Sequence, residues 1–239
     1  MNKTMQAVIL AGGLGVRLRP RTLEAPKPMV PVAGKPYLEH QLRLLAKQGI
    51  LDIVLLTGYL GEQIEEHFGD GARLGLQIRY SREEAPLGTG GAVLRARPLL
   101  AEEFLVIYGD SYLPIDYADV LARLKAADAD GVLVVYDNRR GDTSVRNNAA
   151  LGEGGRVARY AKNVPGVEGL THVEAGVAAL RRGALGLLEE KGKQRPSLES
   201  ELYTKLIERG RMLAYETSQR FYDIGTPERL EEIEAFLTR

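Results

Sequence analysis

The apolar positions of this chain follow two recurring patterns. Ala7–Leu10, Ile53–Thr57, Leu76–Tyr80, Phe104–Tyr108 and Val132–Tyr136 are short, mostly apolar runs with the length of buried strands. Between them, Tyr37–Gln48 and Tyr117–Ala126 space their apolar residues at helical intervals. Beyond Gly141 the pattern turns irregular, with Asn147, Asn148, Gly152, Gly154 and Gly155 marking turns. Val157–Ala161 and Val173–Leu180 read as two further strands, and Ser197–Glu208 as a helix with a serine N-cap. Thr226-Pro227-Glu228 is a helix start: a cap, a proline in the first turn, then an acid at the positive end of the helix dipole. The helix it opens carries Leu230, Ile233, Phe236 and Leu237 on one face.

Strands alternating with amphipathic helices predict an α/β, Rossmann-like fold, a mostly parallel sheet with helices on both faces. No repeat, low-complexity segment or linker divides the sequence, so one domain over residues 1–239 is expected. Ligands of such sheets lie beyond the carboxyl ends of the strands. The glycine-rich stretch after Leu10, Thr57-Gly58 and Gly109-Asp110 all occupy that position.

That first stretch is Leu10-Ala-Gly-Gly-Leu-Gly-Val-Arg-Leu-Arg-Pro20. Gly12, Gly13 and Gly15 leave backbone amides that an anion can approach closely. Arg17 and Arg19 add positive charge, and Lys27 follows on a stiff Pro26-Lys27-Pro28 support. A P-loop is excluded, because no Gly-Lys-Ser/Thr closes the stretch. The dinucleotide fingerprint is excluded too, since Leu18 stands where its third glycine belongs. A strand, a bare loop and several cations point to a triphosphate site. Asp110, at the end of an apolar strand and facing that site, is a candidate Mg²⁺ ligand.

Composition narrows the partners. The 32 basic and 32 acidic residues cancel and form no basic run, so no nucleic-acid partner is expected. The absence of cysteine excludes disulfides and thiolate metal sites. No apolar run is long enough to span a bilayer, and Met1–Met5 is too short for a signal peptide. The expectation is a cytoplasmic protein without a membrane partner. A homo-oligomer stays open, because one sequence does not reveal it. The three histidines, His40, His67 and His172, are scattered, and no Ser/His/Asp arrangement exists, so they are expected to be structural.

The motifs together resemble the sugar-1-phosphate nucleotidylyltransferases. That family's signature, LAGG-x-G-x-RL-x-P followed by PKP-M/L-x-P-V, matches Leu10–Pro20 and Pro26–Val32. Pro86-Leu-Gly-Thr-Gly-Gly91, Gly109-Asp-Ser111 and Asp223-Ile-Gly-Thr226 extend the match over nearly the whole chain. The resemblance implies attack of a sugar 1-phosphate oxygen on the α-phosphorus of a nucleoside triphosphate, with pyrophosphate leaving. Because the nucleophile is already anionic, the chemistry needs positioning and charge neutralisation and no general base. Arg17 and Lys27 are then the expected catalytic residues. Leu10, Ala11, Gly12, Gly13, Gly15, Glu83, Pro86, Gly88 and Thr89 would bind the nucleotide. Asp223 would be the second Mg²⁺ ligand, a role that only the resemblance supplies.

By the same resemblance the Pro86–Gly91 loop lies over the base and Glu83 faces the base's polar edge. An ionised carboxylate only accepts hydrogen bonds, which suits the adjacent N1–H and N2–H of guanine. It tolerates uracil or thymine and suits cytosine poorly. The sugar side departs from the family. Ala161-Lys162-Asn163 stands where many members have Glu-Lys-Pro, so Lys162 is kept for the sugar phosphate and the acid is missing. Glu174, before Ala175-Gly176, is the candidate replacement contact. The reading is GTP-dependent transfer to a mannose- or heptose-type 1-phosphate. Uridylyl transfer to an amino-sugar 1-phosphate such as N-acetylmuramate 1-phosphate, and thymidylyl transfer to glucose 1-phosphate, are the alternatives. A non-catalytic regulatory relative would be expected to lose Arg17, Lys27 or the aspartates, and all are present.

Overall fold

Strand β1 (Gln6–Leu10) shows why the sequence folds as it does. Ala7 and Ile9 point into one apolar core and Val8 into another, so the strand is buried on both faces. The computed structural model describes residues 5–162, 164, 166–189 and 195–239. The sheet has nine strands, and the others are β2 (Asp52–Thr57), β3 (Gln77–Arg82), β4 (Glu103–Tyr108), β5 (Gly131–Asp137), β6 (Ala149–Leu151), β7 (Val157–Tyr160), β8 (His172–Arg181) and β9 (Met212–Thr217). Its order is β7-β6-β8-β4-β1-β2-β3, with β5 also on β8 and β9 on β5.

The β4-β1-β2-β3 unit is parallel throughout, and β9 runs parallel to β5. β8 runs antiparallel to β4, β5 and β6. Its register on β5 shifts between Glu174 and Ala178. Gly176 sits in that shift at φ +75°, and a Cβ there would collide with the Ser111 side chain. Glycine thus lets the turn after β4 lie directly on β8.

Helices α1 (Tyr37–Lys47), α2 (Gly61–Phe68) and α4 (Tyr117–Ala126) cover one face through Leu38, Leu42, Ile64, Phe68, Val120 and Leu124. The other face is covered by α3 (Gly88–Arg95), the π-helical segment Leu198–Tyr203 and α5 (Thr204–Glu208). The last helix, α6 (Pro227–Leu237), uses Leu230 and Ile233 to hold Leu18, Val30, Val32 and Tyr37. It therefore packs on the signature segment itself.

The sequence reading and the structure differ in definable places. The third strand is Gln77–Arg82 instead of Leu76–Tyr80, because pairing with β2 starts at Asp52 opposite Gln77. Ser197 caps as expected, accepting from the Ser200 amide at 3.1 Å, but the helix it opens begins with π-type turns. The Pro86–Gly91 segment is a loop only at its start, since Gly88 onward is α3. The amides of Gly90 and Gly91 both donate to the Pro196 carbonyl, which gives this glycine-rich helix its N-terminal partner. Among the described residues, no helix is long and apolar enough to cross a membrane.

Candidate active site

The carboxyl ends of β1, β2 and β4 open into a cleft of about 320 Å³. Its floor is set by close backbone packing. The Ala11 amide donates to Leu56 O at 2.8 Å, and the Gly109 amide to Leu10 O at 2.9 Å. A Cβ on Gly109 would lie 2.5 Å from Leu10 O, so only glycine allows the two strand ends to meet. Beyond them, the amides of Gly12 and Gly13 donate to no protein group among the described residues. Unpaired donors at a strand end suit phosphate oxygens. Leu10, Ala11, Gly12, Gly13, Glu83, Pro86, Gly88 and Thr89 all line this cleft. Gly15 sits in the adjoining recess with Arg17, Lys27, Asp110 and Gly225. At φ +60°, with Lys27 and Thr22 against it, Gly15 turns the chain toward that recess.

The charged groups converge in this recess. Lys27 Nζ donates to Asp110 Oδ2 at 2.5 Å. Burial alone would raise the Asp110 carboxyl, but Lys27, with Lys162 and Arg17, holds it below its ordinary value. Gln41, buried on α1, donates to the carbonyls of Tyr108 (2.9 Å) and Ser111 (2.5 Å) and so clamps the turn that carries Asp110. Ser111 and Tyr112 pair antiparallel with Asp223 and Tyr222, which brings the second aspartate alongside the first. Asp223 accepts from the Gly225 amide (2.6 Å) and pairs with Arg229 (3.1 Å). Arg17 is exposed and makes no ion pair among the described residues. Its guanidinium lies beside Gly225.

Asp110 and Asp223, carried by paired strands, offer the hard oxygen donors that Mg²⁺ takes. A buried hydroxyl is consistent with a cation there. Tyr37 Oη is fully enclosed without a partner and lies in the field of both Asp110 and Asp223. Burial first, then these two charges, pushes its ionisation well above the usual phenol value.

On the base side, Glu83 is wedged between Gly12 and Gly58, where a Cβ on Gly58 would be 3.0 Å from Glu83 Oε1. Glu83 Oε2 accepts from the Leu87 amide at 3.0 Å. The carboxylate thus both lines the cleft and shapes the loop above it.

A second groove of about 540 Å³ meets the cleft at Thr89. Lys162 lines it, with its ammonium 4.5 Å above the Tyr108 ring. Glu174 is placed differently from a surface contact. Its side chain is 1% exposed, bonded through Oε2 to Tyr160 (2.5 Å) and Lys162 (3.0 Å). The acid on the groove wall is Glu199, which sequence reasoning missed. Glu199 Oε2 accepts from Thr89 (2.5 Å) and Ser197 (2.9 Å), and Oε1 lies 3.5 Å from Lys162. Burial opposes the Lys162 charge, but Glu174 and Glu199 overcome it and hold that ammonium above its ordinary value. No signal in the sequence marked Glu199, which reads as one of several acids on a helix. Asn163 lies outside the described residues.

The three histidines stay out of both clefts. His172 groups with Asp137 and Glu216, the three ligand atoms lying within 4.8 Å of one another. Arg139 grips Asp137 through both carboxylate oxygens, and Arg140 pairs with Glu216, so arginines already neutralise the acids.

Comparison with known proteins gives a consistent picture. The profile of the Nucleotidyl transferase family matches residues 6–239. The mannose-1-phosphate guanylyltransferase of Mycobacterium tuberculosis is 35% identical over 94% of this chain, which spans 62% of that protein's length. The D-glycero-alpha-D-manno-heptose 1-phosphate guanylyltransferase of Campylobacter jejuni is 34% identical, with 94% of this chain and 96% of that one covered. Among solved structures, HddC from Yersinia pseudotuberculosis, complexed with GMP-PN, superposes with TM-score 0.80 at 28% identity, covering 98% of this chain and 99% of that one. A putative glucose-1-phosphate thymidylyltransferase from Bacillus anthracis shares the fold, with TM-score 0.85 at 20% identity, covering 97% of this chain and 94% of that one.

Proposed function

Because the chain belongs to the nucleotidyl transferase family, we propose that it transfers GMP from GTP to a mannose- or heptose-type sugar 1-phosphate, releasing pyrophosphate. The observation that carries this reading is the cleft itself. Gly12 and Gly13 amides without a partner among the described residues, Lys27, Arg17 and Asp110 converge at the ends of parallel strands, with Asp223 on the short strand paired beside Ser111. The named activities of the 34% and 35% identical relatives supply the nucleotide and the sugar class.

In this reading the glycine amides hold the triphosphate. Lys27 and Arg17 neutralise charge as it moves toward the leaving pyrophosphate. Arg17, without an ion pair among the described residues, can turn its fork toward phosphate oxygens without breaking one of those. Lys162 meets the acceptor phosphate where groove and cleft join. Asp110 and Asp223 would hold Mg²⁺, which supplies electrophilic activation of the phosphate when bound. Glu83 reads the guanine edge, with the Pro86–Thr89 segment beside it.

The test is pyrophosphate release from purified protein with GTP, UTP, dTTP, CTP and ATP, each against mannose, heptose, glucose and N-acetylmuramate 1-phosphates. GTP with a manno-configured acceptor should give the highest kcat/KM. UTP or dTTP as best donor would overturn the guanylyl assignment, and no release with any pair would overturn transfer altogether.

A further inference from the structure

Resting on the reading of Asp110 and Asp223 as Mg²⁺ ligands, we propose that Gln41 of α1 is a positioning residue for the metal. It lines neither the cleft nor its recess, and it acts by fixing the turn whose carboxylate takes the cation.

The turn 108–111 does not hold itself. Among the described residues no bond joins the Ser111 amide to the Tyr108 carbonyl, the contact that often closes a four-residue turn. The carbonyls at its two ends are taken by Gln41 Nε2 instead, at 2.9 Å to Tyr108 O and 2.5 Å to Ser111 O. Two acceptors on one side fix the orientation of the amide, because its own oxygen would repel both. Gln41 Oε1 is left buried without a partner among the described residues. An enclosed amide oxygen without a partner costs stability. Packing alone would be served better by an apolar side chain, like the neighbouring Leu38, Leu42 and Leu45. Gln41 therefore spends its whole donor capacity on the turn that carries Asp110.

The hold extends to both aspartates. The Asp110 carbonyl accepts from the Ile224 amide at 3.1 Å, and Ser111 pairs with Asp223. Fixing Tyr108 O and Ser111 O thus brackets Asp110 and, through Ser111, steadies the strand of Asp223. Tyr37, one helical turn before Gln41, places its enclosed hydroxyl in the field of the same two carboxylates.

Gln48 supplies an internal control. It follows Gln41 by two helical turns and shares its face. Its Nε2 donates to Ile115 O at 2.8 Å, and its Oε1 accepts from the Tyr117 amide at 3.0 Å. Both glutamines brace the segment 108–117, but Gln48 braces the start of α4 and Gln41 the metal turn.

The experiment measures binding of Mn²⁺ alone by electron paramagnetic resonance in the wild type, Gln41→Leu, Gln48→Leu and Asp110→Asn, beside the urea midpoint of each. Gln41→Leu should weaken Mn²⁺ binding about tenfold, the scale on which a metal site responds to loss of a group that orients its ligands. Its Mg²⁺ requirement for half-maximal rate should rise by a similar factor. Gln48→Leu should lower the urea midpoint and leave Mn²⁺ affinity unchanged. Wild-type affinity in Gln41→Leu, with Asp110→Asn weakened, would overturn the proposal and leave the ligand assignment standing. Equal losses of affinity in the two glutamine variants would make Gln41 a structural brace and overturn it too. Mn²⁺ binding that is alike in wild type and Asp110→Asn would remove Asp110 as a ligand, and the proposal with it. Should Gln41→Leu not fold, Gln41→Asn keeps the amide on a stem one methylene shorter. Weakened Mn²⁺ binding in that variant supports the proposal, and wild-type affinity refutes it.

Discussion

The cleft proposed for the nucleotide and the groove proposed for the acceptor share Thr89 but are made in opposite ways. The cleft is made largely of backbone. Its floor is three parallel strand ends brought together by Gly109, and its donors are main-chain amides without a partner among the described residues. The groove is made of side chains from distant parts of the chain: Thr89 on α3, Lys162 after β7 and Glu199 on a π-helical turn. Main-chain geometry constrains the sequence to glycine at few positions and tolerates no variation there. Side-chain geometry can be rewritten one residue at a time. The two regions therefore suit a common donor chemistry and a variable acceptor.

Substitutions can break this contrast. The largest effect is expected at Asp110, the proposed Mg²⁺ ligand. Asp110→Asn keeps the size of the side chain and loses its charge, and kcat should fall by at least about 10³-fold with the thermal midpoint little changed. A steady-state assay over a Mg²⁺ series checks this, and rescue at high Mg²⁺ would mean that Asp110 binds more weakly than assigned. Next is Arg17→Ala. It should lower kcat by roughly 10²–10³ and move KM much less, because the guanidinium acts on charge that develops during the reaction. A change confined to KM would make Arg17 a ground-state binding group.

A third substitution tests the backbone half directly. Gly109→Ala places a methyl carbon 2.5 Å from Leu10 O. The strand ends must separate, at about 1–3 kcal/mol of stability measured by denaturant unfolding. Glu83→Gln is expected to be milder, reducing the preference for GTP over UTP about tenfold in kcat/KM. The smallest effect concerns pH. Glu199 ionises below its ordinary 4.5, as burial is outweighed by Lys162, Thr89 and neighbouring donors. A depressed folded value gives stability that is present above the unfolded value and lost as pH falls through the folded one. Acidification from about pH 5 to 3 should therefore destabilise the wild type slightly more than Glu199→Gln in urea midpoints.

The same contrast explains what the sequence disclosed. The parallel strands and both flanking helices α1 and α4 were legible, because long buried runs and clear periodicity need no tertiary context. Cleft residues were legible for a related reason, since glycine where a strand ends is visible in one dimension. Helix α3 was not. Gly88-Thr-Gly-Gly91 is poor helix-forming sequence, and its helicity relies on the Pro196 carbonyl, over a hundred positions away. The antiparallel direction of β8 was equally hidden, being a matter of topology. Glu174 and Glu199 could not be told apart as acids until burial separated them, one at 1% exposure and the other on a groove wall. Gln41 gave no sign at all, because its importance lies in two carbonyls of a distant turn.

The packing of α6 on the signature segment has a consequence for biosynthesis. The Ala33 amide donates to Glu234, 201 residues later, and Leu18, Val30 and Val32 are covered by Leu230 and Ile233. A ribosome delivers the glycine-rich segment and the Lys27 segment first and the helix that covers their apolar side chains well afterwards. Throughout that interval the loop's buried side chains lack their partner, so nascent chains expose them to solvent or to chaperones. The cover of this segment is then complete only once α6 has been made, and a nascent chain halted before α6 would carry Leu18, Val30 and Val32 without it.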